Sequence, residues 1–502
     1  MIAPMNTLLA PPQPFAAETE RCRQAQAAWE RLTIRERLRP IRALRRLLAE
    51  RGEALALSVT QDLGRQAEEV LGTDIIPTAD ACRFLERNAP ALLRPTHVWL
   101  SQRPLWLFGS HDTVYRRPHG VVGIIGTWNY PVFLSGVQIV QALTAGNGVL
   151  WKPSELTPTC AVALHELFLE AGFPPDLFVR LPATREAGPQ LAEAAVDYVV
   201  FTGSADVGRK LARRLGERLI PSTLELSGVD TMLVLSDANV PLAARAAWFG
   251  TTLNQGQTCL AVRRAFVHRS RYDEFVERLR AQAGAPRFEP LALWPQAEQA
   301  ERLVRSAIED GAHLLVDGAV PEACDDPPRY PPTVVVDARP EMAICREASF
   351  APVLAVLAFD NIDEALRAQK QCAFGLGASI FAGDTERAEA IAAHLDVGTV
   401  TINDVIAPTG HPVTPFGGRG ASGWGVTQGP DGLLAMTVPQ AVSVRGWSYR
   451  PHYDSAGGTD AATADMLKGL LQWSHGRGWR RRWRALWQLI RGVRGTLKKE
   501  KR

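Results

Sequence analysis

At 502 residues the chain is too long for one hydrophobic core, so two or more domains are expected. Its 46% hydrophobic and 22% charged residues are those of an ordinary globular protein and exclude collagen-like, coiled-coil and wholly disordered classes. The net charge of +3 hides an asymmetry: residues 466–502 carry twelve Lys/Arg and one acid, Glu500, leaving 44 basic against 52 acidic residues elsewhere.

Residues 1–17 are rich in Pro and Ala and are expected to be poorly ordered. No basic residue precedes Arg21, and no run of about 18 apolar residues exists, so neither a signal peptide nor a membrane span is expected. Seven cysteines are scattered without a CxxC pair or zinc-ligand spacing, which suits a reduced, cytoplasmic protein with no metal site.

Helices are expected from Glu18 to about Leu93, with Trp29, Leu32, Ile41, Leu44, Leu47 and Leu48 as core candidates. Residues 104–117 read as a hairpin about Gly109-Ser110. Strand and helix then alternate. Val121–Ile125, Gly148–Lys152 and Tyr198–Phe201 are strands; Val132–Leu143, Pro158–Ala171 and Val207–Leu215 are helices. Short strands joined by crossover helices make a parallel sheet covered on both faces, an α/β class with a Rossmann-type cofactor domain over 18–226.

The alternation resumes in a second α/β domain at 227–415. Its expected strands are Thr231–Leu235, Arg264–His268, Thr333–Val336, Val353–Ala358 and Ala378–Phe381. Helices at Leu242–Thr252, Tyr272–Gln282, Ala297–Asp310 and Ile362–Lys370 lie between them. Residues 416–450 return to the first part, 451–464 read as a linker, and 465–502 form a basic tail.

Several short segments carry chemistry. Phe201-Thr-Gly-Ser-Ala-Asp-Val-Gly208 leaves a strand and opens a helix, where glycines and the helix N-terminus suit a phosphate; taken alone it is an ordinary strand–helix turn with an N-cap serine. Gly418-Arg-Gly-Ala-Ser-Gly423 matches GxGxxG better but follows Pro412 and Pro415 and precedes no helix, so it reads as a loop. Most free cysteines are buried and inert, but Cys259 lies in the polar stretch Asn254-Gln-Gly-Gln-Thr-Cys259; a nucleophile there needs access and a depressed pKa. Glu225, set between leucines, is either a buried paired group or a general base with a raised pKa. Asn129, in Gly126-Thr-Trp-Asn-Tyr-Pro131, offers an amide to an oxyanion.

Together and in this order, these segments resemble the aldehyde dehydrogenase superfamily over about residues 20–445, in wording closest to its fatty and aromatic aldehyde branch. Lys-Pro-Ser-Glu (152–155), Phe-x-Pro-Val (350–353) and Phe-Gly-Gly…Ser-Gly (416–423) complete the set. The resemblance implies that Cys259 attacks the aldehyde, Asn129 holds the oxyanion and Glu225 activates water to hydrolyse a thioester. It implies an NAD site, with NADP as the alternative, built by Thr127, Trp128, Lys152, Glu155, Gly203, Ser204, Val207, Gly208, Leu226 and Phe350. The Glu155 carboxylate would repel a 2′-phosphate and so favours NAD. A homodimer through 104–117 and about 434–444 is also implied.

The chain departs from the family pattern where Ser227 and Ala351 replace usual glycines and Ala348 replaces a usual Glu, with Glu347 one residue earlier. Weaker cofactor binding is expected, and a repurposed binding protein or a semialdehyde dehydrogenase is the rival reading. In the tail, Trp479, Trp483, Leu486, Trp487, Ile490, Val493 and Leu497 recur at spacings of three and four, with Arg481, Arg482, Arg484, Arg491 and Lys498 largely off that face. This pattern is that of a basic amphipathic helix on an anionic membrane surface, against a helix packed on protein; no motif supports nucleic acid.

Overall fold

The computed structural model describes residues 13–104, 107, 109–283, 290–316, 327–446, 453 and 461–500. The chain forms two compact units, one of Met1–Leu93 with Arg117–Val438 and one of Arg94–Arg116 with Pro439–Arg502.

The first unit holds two sheets. The six-stranded sheet runs Gly423–Trp424, Ser222–Leu226, Tyr198–Gly203, Val121–Ile125, Gly148–Lys152, Phe178–Arg180. Its last five strands are parallel, and Gly423–Trp424 closes the edge antiparallel against Leu224 and Glu225. Every residue of Val121–Ile125 and Gly148–Lys152 is buried, as strands covered on both faces require. Two strands and one helix position the site: β1 (Tyr198–Gly203), α1 (Ala205–Glu217) and β2 (Ser222–Leu226). Ser204 caps α1, its hydroxyl accepting from Val207 N–H.

The seven-stranded sheet runs His313–Val316, Thr333–Val336, Val353–Phe359, Val262–His268, Asp230–Val234, Gly377–Phe381, Thr399–Ile402, all parallel except the first. The chain passes from one sheet to the other over Ser227–Val229, directly after Glu225.

Three expectations change. Ala16 already opens a helix, so the stretch expected to be poorly ordered does not reach residue 17; residues 1–12 lie outside the described residues. Among the described residues Ser110–Pro118 pairs antiparallel with Thr96–His97, not with a second arm inside 104–117, in a three-stranded sheet completed by Thr437–Arg445; residues 105, 106 and 108 of the expected hairpin lie outside the described residues. Gly109, at φ 82°, precedes that strand. The tail is two helices, α2 (Ala461–His475) and α3 (Trp479–Glu500), so helix replaces the end of the expected linker; most of 451–464 lies outside the described residues.

Candidate active site

Cys259 follows a segment that only a packed environment sustains. Asn254 (φ 51°), Gln255 (φ 57°) and Gly256 (φ 69°) are successively left-handed. A β-carbon on Gly256 would lie 2.5 Å from the Ala351 carbonyl, so glycine is needed for both conformation and space. The fully enclosed Arg263 guanidinium donates to Gly256 O and Ala351 O. It thereby ties the cysteine loop to the loop of Phe350, itself left-handed at φ 53°.

The Asn129 loop is pinned as firmly. Arg65 Nη1 donates to Asn129 O at 2.9 Å and to buried Asp74 at 3.0 Å. Asp74 also accepts from Val132 N and Phe133 N, and it sits in the π-helical turn Leu71–Ile75. Asn129 Nδ2 donates to Gln257 O at 3.0 Å, which brings the amide to the Cys259 loop. Thr127 Oγ1 donates to Asn129 Oδ1, fixing which end of the amide carries the protons.

Glu225 lies on β2, opposite Thr202 and Gly423. Neither carboxyl oxygen has an aligned hydrogen-bond partner among the described residues; the Cys259 thiol and Thr202 hydroxyl are the polar groups that bear on it. Burial pushes this carboxyl up to about 7. Burial also pushes Asp230 up to about 7, against the pull of Gly377 N–H, Arg264 and Arg263. Burial and then the Glu225 and Asp230 charges hold the Cys259 thiol well above its ordinary value. The depressed thiol that a nucleophile needs is therefore not found here: burial leads, and the Glu225 and Asp230 carboxyls add to it. Burial lowers Arg263 to about 10, Asp230 opposing.

Two cavities meet this region. One of about 850 Å³ is lined by Thr127, Trp128, Lys152, Glu155, Gly203 and Val207, six of the residues expected at the cofactor. Lys152 Nζ and Arg185 Nε each lie 3.0 Å from the Glu155 carboxylate. Burial opposes the charge on Glu155, but hydrogen bonds from its backbone, Lys152 and Arg185 outweigh it and hold the carboxyl below its ordinary value. Ser204 caps α1 near the cavity. Gly208 and Leu226 pack on one another behind it, where a β-carbon on Gly208 would overlap the Leu226 side chain. Phe350 meets Trp128 edge-on at 5.8 Å. The second cavity, about 190 Å³, has Cys259 in its wall with Tyr130, Phe133, Leu134, Phe249 and Phe416; among the described residues its lining holds no charged group.

These features match known proteins. The family model described as "Aldehyde dehydrogenase family" matches residues 12–442. The chain belongs to the aldehyde dehydrogenase family. It is 34% identical to a 4,4'-diapolycopene aldehyde oxidase of Methylomonas sp, covering 83% of this chain and 79% of that protein. It is 34% identical to a putative succinate-semialdehyde dehydrogenase [NADP(+)] of Mycolicibacterium smegmatis, covering 85% and 84%. A Mycobacterium tuberculosis aldehyde dehydrogenase complexed with NAD+ superposes with a TM-score of 0.79 at 30% identity, over 86% of this chain and 90% of that one. As an aldehyde dehydrogenase the protein is an oxidoreductase acting on aldehydes and using NAD(P).

The GxGxxG look-alike is more than a loop. Arg419–Gly420 pairs with Phe374–Gly375, and Gly423 lies flat on the Glu225 strand, where a side chain would strike Leu224. Ser422 donates to Ser227 O, and Leu226 N donates to Ser422 O. Ser227 is not left-handed, so the usual glycine is not demanded by its backbone. Glu347 pairs with Arg302 and Gln299 on the helix Trp294–Glu309, so it does not stand in for the carboxylate missing at Ala348.

Arg65, Asp74, Arg185, Asp230 and Arg263 were not singled out in the sequence. Arg263-Arg264, set in the apolar run from Ala261 to Val267, is the signal that was available: a strand buried on both faces hides both guanidinium groups.

Proposed function

We propose that the protein oxidises an apolar aldehyde, medium or long-chain or aromatic, to the carboxylic acid through a thioester on Cys259. The observation that carries this reading is the juxtaposition at Cys259: a cavity with no charged lining in front of the sulfur, and the buried Glu225 carboxyl beside it. A semialdehyde would bring a carboxylate, for which the described lining of this cavity offers no cation.

Cys259 gives up its proton, Glu225 being the adjacent acceptor, and the sulfur adds to the carbonyl carbon. The Asn129 amide and the Cys259 backbone N–H donate to the oxygen that gains charge. Bound NAD(P) supplies the hydride acceptor. Lys152 and Glu155 would hold the adenine ribose, the N-terminus of α1 at Gly203 and Ser204 would hold the pyrophosphate, and Trp128 and Phe350 would lie toward the nicotinamide. The Glu155 carboxylate in that corner favours NAD. Glu225, once it has passed the thiol's proton to bulk water, takes a proton from the attacking water; the C–S bond of the thioester breaks, the acid leaves and the Cys259 sulfur regains a proton.

The assembled form is a homodimer. The strand Thr437–Arg445 ends its sheet and exposes Val438, Val442 and Val444, an edge that needs a partner. The six described cysteines are free, in keeping with a cytoplasmic enzyme.

The test is NADH formation by wild type and Cys259→Ala across aldehydes from acetaldehyde to hexadecanal. Activity that rises with chain length and vanishes in the variant is expected. Activity confined to short or acidic aldehydes overturns the substrate reading, and activity surviving in the variant overturns the mechanism.

A further inference from the structure

Two helices of the second unit pack through their smallest residues. A β-carbon on Gly469 of α2 would lie 2.8 Å from Ala485 O and 2.7 Å from Leu489 Cα of α3. One on Gly492 of α3 would lie 2.7 Å from Ala462 O and 2.6 Å from Met466 Cα of α2. The two backbones therefore touch, and Ala485 between them is fully buried. Such a seam buries little apolar area, so it leaves the large side chains elsewhere.

They point outward. An α-helix turns about 100° per residue, which sets Trp479, Trp483 and Trp487 on the side of α3 opposite Ala485 and Gly492. These three indoles are 69%, 58% and 64% exposed. Three large aromatics in a row are not left in water by a helix pair that was free to bury them. Arg480, Arg484 and Arg491 flank the row on one side, and all are exposed. No helix among the described residues is long and apolar enough to cross a membrane.

We propose that the α2–α3 hairpin docks as a unit on the anionic headgroup layer of a bilayer, with Trp479, Trp483 and Trp487 entering the interface and the neighbouring arginines meeting lipid phosphates. The chemistry argues for this occupant. Indole is amphipathic and favours the headgroup boundary, while a stripe of arginine supplies attraction to anionic lipid. Twelve basic residues against one acid over 466–502 make a second copy of the same hairpin a poor partner, since like charges would face each other. The seam explains how the rows stay outward: glycine and alanine hold the pair together without help from the tryptophans. The helical hairpin thus differs from one amphipathic helix, which would have to choose between burying its tryptophans in protein and in lipid.

The test is sedimentation of the full-length protein with vesicles of phosphatidylcholine alone or mixed with phosphatidylglycerol. Wild type is expected to bind the anionic vesicles, with blue-shifted tryptophan emission, and to release at high salt. Two variants are compared: Trp479→Ser/Trp483→Ser/Trp487→Ser, and Arg480→Glu/Arg484→Glu/Arg491→Glu, whose changes are all on the surface. Each is expected to weaken binding by tenfold or more, on the order of what two-signal membrane attachment loses when one signal goes. Oxidation of a water-soluble aldehyde in free solution is expected to be unchanged in both, so failure here is separable from failure of the catalytic reading. Unweakened vesicle binding by either variant overturns the proposal. So does wild type that ignores anionic vesicles but binds duplex DNA, or whose triple-serine variant only changes its oligomeric state.

Discussion

Replacing Glu225 with Gln is expected to stabilise the protein and disable it together. Burial raises this carboxyl from an ordinary 4.5 to about 7. At about 1.36 kcal/mol for each tenfold change in proton affinity, the fold disfavours the ionised form by roughly 3 kcal/mol. The sign follows from proton binding. Below about 4.5 the group is protonated whether the chain is folded or not. Between about 4.5 and 7 the folded chain keeps a proton that the unfolded chain releases, so stability falls as pH rises; above about 7 the whole cost is present. Glutamine stays neutral, and like the protonated acid it lacks aligned partners in this site. Glu225→Gln is therefore expected to gain roughly 3 kcal/mol over wild type near pH 8 and almost nothing near pH 4.5, read as the difference in urea unfolding between variant and wild type. Asp230, also raised to about 7, repels the Glu225 charge, so its own pH dependence cancels only in part in that difference. The same variant should slow turnover by roughly 10²–10⁴, the usual worth of a general base, with no fast NADH burst, because Glu225 serves both the thiol and the hydrolytic water. In wild type the hydrolytic step should rise with pH through about 7, as the carboxyl becomes available to accept a proton. Equal stabilisation at both pH values, or a steady-state rate like that of wild type, would refute the reasoning.

Arg263→Met removes the donor shared by Gly256 O and Ala351 O; at roughly 1–3 kcal/mol for each carbonyl left without a partner, the two loops should loosen. A higher KM for NAD and a lower kcat, partly recovered in Arg263→Lys, are expected, and unaltered kinetics would count against a bridging role. Ala348→Glu restores a carboxylate where Glu347 is already committed to Arg302. Hydrogen bonds to a charged group are worth roughly 1.5–3 kcal/mol, so KM for NAD should fall about tenfold or more; an unchanged KM would show that the ribose is held otherwise.

The alternation of β-branched runs with amphipathic stretches was enough to place Gly148–Lys152, Thr333–Val336 and Ile362–Lys370 at their observed bounds, because periodicity is a local property of the chain. Cys259, Glu225 and Asn129 were legible as candidates because polar groups among glycines or leucines demand an explanation. What surrounds them was not. The raised Cys259 thiol, the Arg65–Asp74 pair under Asn129 and the Arg263 bridge join residues far apart in sequence, and burial depends on everything packed around a group. The edge that Gly423 adds to the Glu225 strand is equally invisible locally, since a two-residue strand has no period.

The C-terminal tail shows the division most clearly. Its sequence alone determined a helix with tryptophans on one side and arginines beside them, since 3.6-residue spacing decides which side chains share a face. Only tertiary structure decided that a second helix exists to pack against it. It also decided that the seam runs through Gly469, Ala485 and Gly492 rather than through the tryptophans. The physical reason is that a helix face becomes core or surface only when another chain segment covers it, and which segment does so is a matter of three-dimensional fit.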